Sequence, residues 1–170
     1  MSWWDRVWAT VISEFSDLAD AEDLTRLVLR LLLAAILGAL VGLQRETSGK
    51  AAGLRTHMLV SLGSALFVLV PAQAGMEADA LSRVVQGVIA GVGFLCAGTI
   101  MKREDDHVQG LTTAAGLWMT CAIGLAAGTG REMTAVLSTV LAILILLLEG
   151  PVRKILDKQG KNQPDAEIDR

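Results

Sequence analysis

The chain has 170 residues, 52% of them hydrophobic, with a mean hydropathy of +0.50, 17 glycines and a formal net charge of −3. A soluble domain covers itself in charge, and this composition leaves too little polar surface to do so. It excludes an ordinary soluble domain and points to an integral membrane protein. No nucleic-acid partner is expected of it.

In chain order, the first element falls within residues 1–26. Trp3, Trp4, Val7, Trp8, Val11, Ile12, Phe15 and Leu18 recur at helical spacing, while Asp5, Arg6, Ser13, Glu14 and Asp17 fall mainly elsewhere. That pattern predicts an amphipathic helix lying on the outer leaflet, with its indoles at headgroup depth. The start has no basic region and no small-residue cleavage site, so it does not read as a signal peptide. Asp20 to Asp23 read as a cap for the helix that follows.

Residues 27–150 then hold five apolar runs, at about 27–43, 58–75, 84–101, 111–127 and 134–148. At about 1.5 Å per helical residue, most are long enough to cross a hydrocarbon core of about 30 Å, and the last is the shortest. Strict alternation is missing, and in lipid only helices or closed barrels satisfy every backbone group. The fold class expected is therefore an all-α, polytopic bundle of five transmembrane helices. Glu149-Gly150-Pro151 stops the fifth helix, and residues 151–170 read as a short polar tail. Arg45, Lys50, Arg55, Lys102, Arg103 and the basic residues of the tail share one side of the layer; Arg6, Arg26, Arg83 and Arg131 share the other. The positive-inside rule places the first set, with the C-terminus, in the cytoplasm and the N-terminus outside.

Two of the hairpins repeat one pattern. An apolar run from Gly38 ends in Arg45-Glu46 and, after a short loop, Gly53-Leu54-Arg55-Thr56 opens the next run. A second run, from Gly91 through Gly93, Phe94 and Gly98, ends in Arg103-Glu104, and Gly110-Leu111-Thr112-Thr113 opens its successor. Both loops lie on one side, so the copies form a parallel internal repeat, and function is sought where the loops converge.

Gly38 and Gly42, Gly87 and Gly91, and Gly124 and Gly128 are GxxxG pairs; with Gly98 they are the candidate helix-packing glycines. They suit either intramolecular packing or a homo-oligomer seam, and sequence does not divide them. Mid-span Asp, Glu, Lys and His are absent, and Arg30 lies one turn from the outer end. This weighs against cation-driven transport but leaves open a path lined by Ser61, Ser64, Thr99 and Thr120. Arg45, Glu46, Arg55, Thr56 and His57, facing Thr112 and Thr113 of the second copy, form the candidate functional cluster. They would dock a partner or an anion, or serve as positive-inside anchors and helix caps. Glu104-Asp105-Asp106-His107 offers oxygen ligands to a divalent cation, or is a solvated acidic loop. Gln86, placed near the outer end of its span, and Trp118 each suit a bond to a neighbouring helix. Cys96 and Cys121 read as packing residues rather than a disulfide or metal pair. There is no P-loop, HExxH, GxSxG or CxxC. Neither an enzyme nor a cofactor is expected, and the metal question stays open.

Four ordered stretches carry a resemblance. The Gly42-Leu43-Gln44-Arg45-Glu46 end of the first span, Ala52 through Ser61, Gly91 through Gly98, and Gly110 through Trp118 resemble the signature of the MgtC/SapB family of bacterial inner-membrane proteins. The resemblance spans about residues 33–130. Cys96 stands where that family more usually has glycine. It implies a short, SapB-like member without the C-terminal cytoplasmic domain of the long members, and a role in growth under magnesium limitation or acid stress. Long members are thought to act by binding membrane partners, the ATP synthase among them, despite an inherited "magnesium transport ATPase protein C" label. The reading expected is thus a small regulatory membrane protein whose partners are the lipid bilayer and another integral membrane protein. The alternative is a channel or transporter for magnesium, another cation or a small solute.

Overall fold

A computed structural model describes residues 2–14, 20–102 and 108–148. The N-terminal helix α1 runs from Trp3 to Glu14, with the Trp3 and Trp4 rings edge to face at 4.6 Å between centroids. Phe15 and Leu18, expected to extend it, lie outside the described residues, as do Arg103 to His107 and everything from Glu149 onward.

α2 spans Ala21–Thr47. It starts earlier than its apolar run because Asp20 holds an extended backbone and its carboxylate accepts the Glu22 N–H at 3.1 Å, which is the cap the sequence predicts. Its 27 residues reach about 40 Å, so polar ends project beyond any hydrocarbon core. α3 (Leu54–Gln73), α4 (Ala78–Ala97) and α5 (Leu111–Gly128) follow, and α6 (Glu132–Leu147) closes the bundle. Among the described residues, α2 to α5 are long and apolar enough to cross a membrane; α6, at 16 residues, is apolar but shorter. It is the fifth and shortest of the predicted spans. The chain is a multi-pass, all-helical membrane protein apart from one small ladder: β1 (Met101–Lys102) pairs antiparallel with β2 (Val108–Gln109). That ladder belongs to the loop after α4. It ends the helix at Ala97, short of the predicted boundary at 101.

The interior is built mainly from small residues. Ala34, Leu37 and Val41 of α2, Ala65 of α3, Ile123 and Ala127 of α5, and Ala135 and Leu146 of α6 form the main buried cluster. Leu29, Leu32, Ile36, Leu40 and Leu43, by contrast, lie exposed along the outside of α2. Lipid is as apolar as leucine, so helices gain little by burying large side chains and associate by close approach instead. Glycine makes that approach. A Cβ on Gly38 would lie 2.7 Å from the His57 carbonyl oxygen, one on Gly42 would lie 2.7 Å from Leu54 Cα, and one on Gly128 would lie 2.5 Å from the Ala65 carbonyl oxygen. Gly124 is likewise closed by the Ser61 backbone. These four glycines bring α2 and α5 into close contact with α3, and α2 and α5 also touch each other.

The third predicted pair behaves otherwise. Gly87 and Gly91 of α4 have no neighbouring atom within 4 Å of a Cβ, so they pack against no other helix among the described residues. Gly98 is the turn residue that ends α4, and a Cβ there would meet only Leu95 and Phe94 carbonyl oxygens of its own turn. The cause is the peripheral place of α4. It touches α5 and α3 along one edge, and Cys96 is its sole buried residue. There the Cys96 thiol donates to the Ala114 carbonyl of α5 at 3.1 Å, in a second small cluster with Ala52 and Leu117. A hydrogen-bonding thiol thus makes the contact at the position where the resembling family more usually carries glycine. Cys96 and Cys121 are both free and buried.

At the end of the bundle opposite the two repeated loops, Arg30 pairs with Glu132, Nε to Oε1 at 3.6 Å, and its guanidinium fills the space beside Gly130, which turns at φ +76°. The embedded arginine of the first span is therefore paired with a carboxylate at the start of α6.

A candidate docking site where the two loops meet

Helical geometry sends Arg45 and Glu46 in different directions, because successive side chains on a helix are about 100° apart. Arg45, in the last turn of α2, is fully buried and turned toward α5, where its Nη2 donates to Thr113 Oγ1 at a long 3.4 Å. Glu46 turns to the loop and accepts the Leu54 N–H at 2.7 Å. The N-cap of α3 is Gly53, which has no side chain to offer, so the carboxylate of the preceding helix supplies the missing acceptor. Glu46 acts as a cap from a distance. The threonines of the Gly-Leu-x-Thr motif do not cap: neither Gly53 nor Gly110 is followed by a side-chain capping bond, and Gly110 itself sits left-handed at φ +93°.

His57 occupies the first turn of α3 and is fully buried between α2 and α5. Its Nδ1 lies 2.7 Å from Thr120 Oγ1, and that hydroxyl donates its single hydrogen to the Gly116 carbonyl at 2.9 Å. With the Thr120 hydrogen committed to Gly116, the arrangement fits a His57 Nδ1–H donating to the Thr120 oxygen, and the Ala52 carbonyl also stands by the ring. Nε2 and the buried Ser61 Oγ one turn further on have no hydrogen bond of ordinary geometry among the described residues. The sequence reading placed His57 beside Arg45 but missed Thr120 as its partner. The available signal was spacing: Thr113 and Thr120 are seven residues apart on one face of α5, and His57, Ser61 and Ser64 fall at i, i+4 and i+7 on α3.

Of the candidate cluster, Arg45, His57 and Thr113 converge at the interface between the two repeats, and Thr112 stands at its edge. Arg55 and Thr56 are exposed on the outside of α3, away from that convergence. Above Arg45 lies a cavity of about 790 Å³ whose wall comes from both loops: Lys50 and Ala51 of the first, Thr99 and Gln109 of the second, and Thr112 and Thr113 at the start of α5. The acidic stretch Glu104 to His107 lies outside the described residues, and among those residues no group of His, Cys, Asp and Glu is placed to hold a metal. What the geometry provides is a cavity between the two loops, lined by Lys50, Thr99, Gln109, Thr112 and Thr113 and floored by the buried Arg45.

Helices long enough to span, an interior of small residues and a cavity shared by the two loops define a multi-pass membrane protein. Residues 31–155 match the MgtC family, and the chain belongs to it. It is 46% identical over 136 residues to the protein SrpB of Synechococcus elongatus, covering 73% of this chain and 75% of that one. It is 41% identical over 128 residues to the protein MgtC of Salmonella typhimurium, covering 74% of this chain and 54% of MgtC. With YhiD of Escherichia coli K12, which is named as a candidate magnesium transporter, it shares 40% identity over 126 residues, covering 70% of this chain and 58% of YhiD. The chain thus matches little more than half the length of the last two. No solved structure matches it.

Proposed function

We propose that this protein is a regulator of the MgtC type, tied to magnesium limitation or acid stress, that acts by docking on another integral membrane protein at the mouth where its two loops meet. It works by contact rather than by catalysis, from the inner membrane, with the mouth facing the cytoplasm. The observation that carries this reading is the contrast along the repeat interface. The polar cavity occupies the loop end, while deeper in the bundle α2, α3 and α5 approach so closely that Gly38, Gly42 and Gly128 leave no room for a Cβ. Close packing there favours a surface for a partner over a path for a solute.

A second reading has one observation in its favour. His57 Nε2 and Ser61 Oγ are buried polar atoms with no hydrogen bond of ordinary geometry among the described residues, in line with Ser64 and Thr120, as the lining of a narrow hydrated path would be. With the printed description of YhiD, it supports a channel or transporter for magnesium or another small solute.

One pair of measurements separates the two. Purified protein in sealed liposomes is assayed for magnesium flux, and the tagged protein is cross-linked in its native membrane at Lys50→Cys and recovered. A regulator gives no flux above empty vesicles and a discrete cross-linked membrane partner, whose yield falls severalfold on Arg45→Ala. Saturable flux that Arg45→Ala slows overturns the docking reading.

A further inference from the structure

α1 stands apart from the bundle. None of its residues is buried, Trp3, Trp4 and Trp8 are 64–65% exposed, and among the described residues it shares no packed face with α2 to α6. Its start is made locally: the Ser2 N–H donates to Asp5 Oδ2 at 2.7 Å and the Asp5 N–H to Ser2 Oγ at 3.3 Å, a reciprocal cap. Thr10 and Ser13 give their hydroxyl hydrogens to the Arg6 and Thr10 carbonyls of the same helix. Such local bonds do not hold α1 by themselves, because isolated helices shorter than about 12–15 residues are marginal in water. Whatever covers its apolar face completes it. At about 100° per residue, Trp3, Trp4, Val7, Trp8, Val11 and Ile12 occupy one half of the helix, and Asp5, Arg6, Thr10 and Ser13 the other; only the last residue, Glu14, crosses over.

Length, tether and charge say what the cover is. The 12 residues of α1 reach about 18 Å, too short to cross a hydrocarbon core of about 30 Å, so the helix lies along a surface. Glu14 and Ala21, the first residue of α2, are joined by a chain that reaches at most about 25 Å, which keeps α1 at the membrane face where α2 begins. Asp5 and Glu14 outweigh the lone Arg6, so anionic headgroups offer α1 no attraction. Indoles have an apolar body for the acyl boundary and an N–H for the headgroups. We propose that α1 binds the headgroup boundary of that leaflet with Trp3, Trp4 and Trp8 inserted, and that it binds by apolar insertion alone, on a zwitterionic bilayer as well as on an anionic one. The sequence pattern predicts the interfacial placement; the structure adds that no described helix competes for the face. This surface lies at the opposite end of α2 from the cavity at the loops, and either reading can fail without the other.

The test uses the full chain with Trp118→Phe, which leaves Trp3, Trp4 and Trp8 as the only indoles. In proteoliposomes of phosphatidylcholine, lipid brominated near the headgroup end of its acyl chains should quench their fluorescence at least about twofold more than lipid brominated near the chain ends, and iodide on both sides of the membrane should quench it severalfold less than it quenches a free tryptophan analogue. Neither result should change in high salt or when phosphatidylglycerol is added. Val7→Asp with Val11→Asp places charge in the middle of the apolar face and leaves the bundle untouched, and it should raise iodide quenching severalfold. The proposal is overturned if iodide reaches the indoles as freely as the analogue, if they are shielded from iodide without quenching by brominated lipid, as on a protein surface, or if the deeper bromines quench more. It is equally overturned if protection requires phosphatidylglycerol or is lost in high salt, or if the double aspartate variant behaves as its parent.

Discussion

Replacing Gly38 by alanine sets a methyl group 2.7 Å from the His57 carbonyl oxygen and 2.8 Å from Ser61 Cβ. Ordinary contact for such a carbon begins near 3.4 Å, so α2 and α3 must separate locally by about 0.7 Å or the backbone must bend. Both obstacles are backbone or Cβ atoms, so no side-chain rotation relieves them. Overpacking of this kind costs about 1–3 kcal/mol. Alanine also gains up to about 1 kcal/mol over glycine in a helix interior, which offsets part of the loss. The net expectation is a destabilisation of about 1–2 kcal/mol. Gly63→Ala is the matched control, because Gly63 is also helical and no atom stands within 4 Å of a Cβ there. It gains the propensity term alone and should stabilise by about 0.5–1 kcal/mol. Reversible unfolding in mixed detergent micelles, followed by helical circular dichroism, measures both. The reasoning fails if Gly38→Ala is as stable as wild type, or if the two substitutions shift stability in the same direction.

Three further outcomes follow from the site and its surroundings. Glu46→Ala removes the acceptor for the Leu54 N–H and should cost about 1 kcal/mol in the same unfolding assay, with Glu46→Gln recovering most of it. In the nitrogen-15 spectrum of histidine-labelled protein, His57 should appear as the neutral Nδ1–H form; Thr120→Val should abolish that preference and cost about 1 kcal/mol, and an Nε2–H signal in wild type would contradict the hydrogen-bond assignment. Glu132→Gln breaks the pair with Arg30, whose side chains are 31% and 50% exposed, so it should cost less than about 1 kcal/mol and the difference should shrink in high salt.

Composition and the spacing of apolar runs determined the membrane, the helical class, the order of the spans and the cap at Asp20, because lipid admits few backbone solutions and each is written locally as run length and end chemistry. The repeated Arg-Glu and Gly-Leu-x-Thr stretches likewise marked the loops that share the cavity, since loops on one side of a layer must converge at that side. Local pattern could not tell one glycine pair from another. Gly38 with Gly42 and Gly87 with Gly91 have the same spacing, yet the first pair is closed by α3 and the second faces outward, a difference set by which helix becomes central. Nor could sequence adjacency assign the cluster: Arg45 goes inward while its neighbour Glu46 caps α3, and His57 is buried while Arg55 and Thr56 are not, because a helix turns each successive side chain by about 100° and only the neighbours decide which direction is the interior. The pairing of His57 with Thr120 belongs wholly to the tertiary structure. It joins residues far apart in the chain, and no local rule sets the contact between α3 and α5.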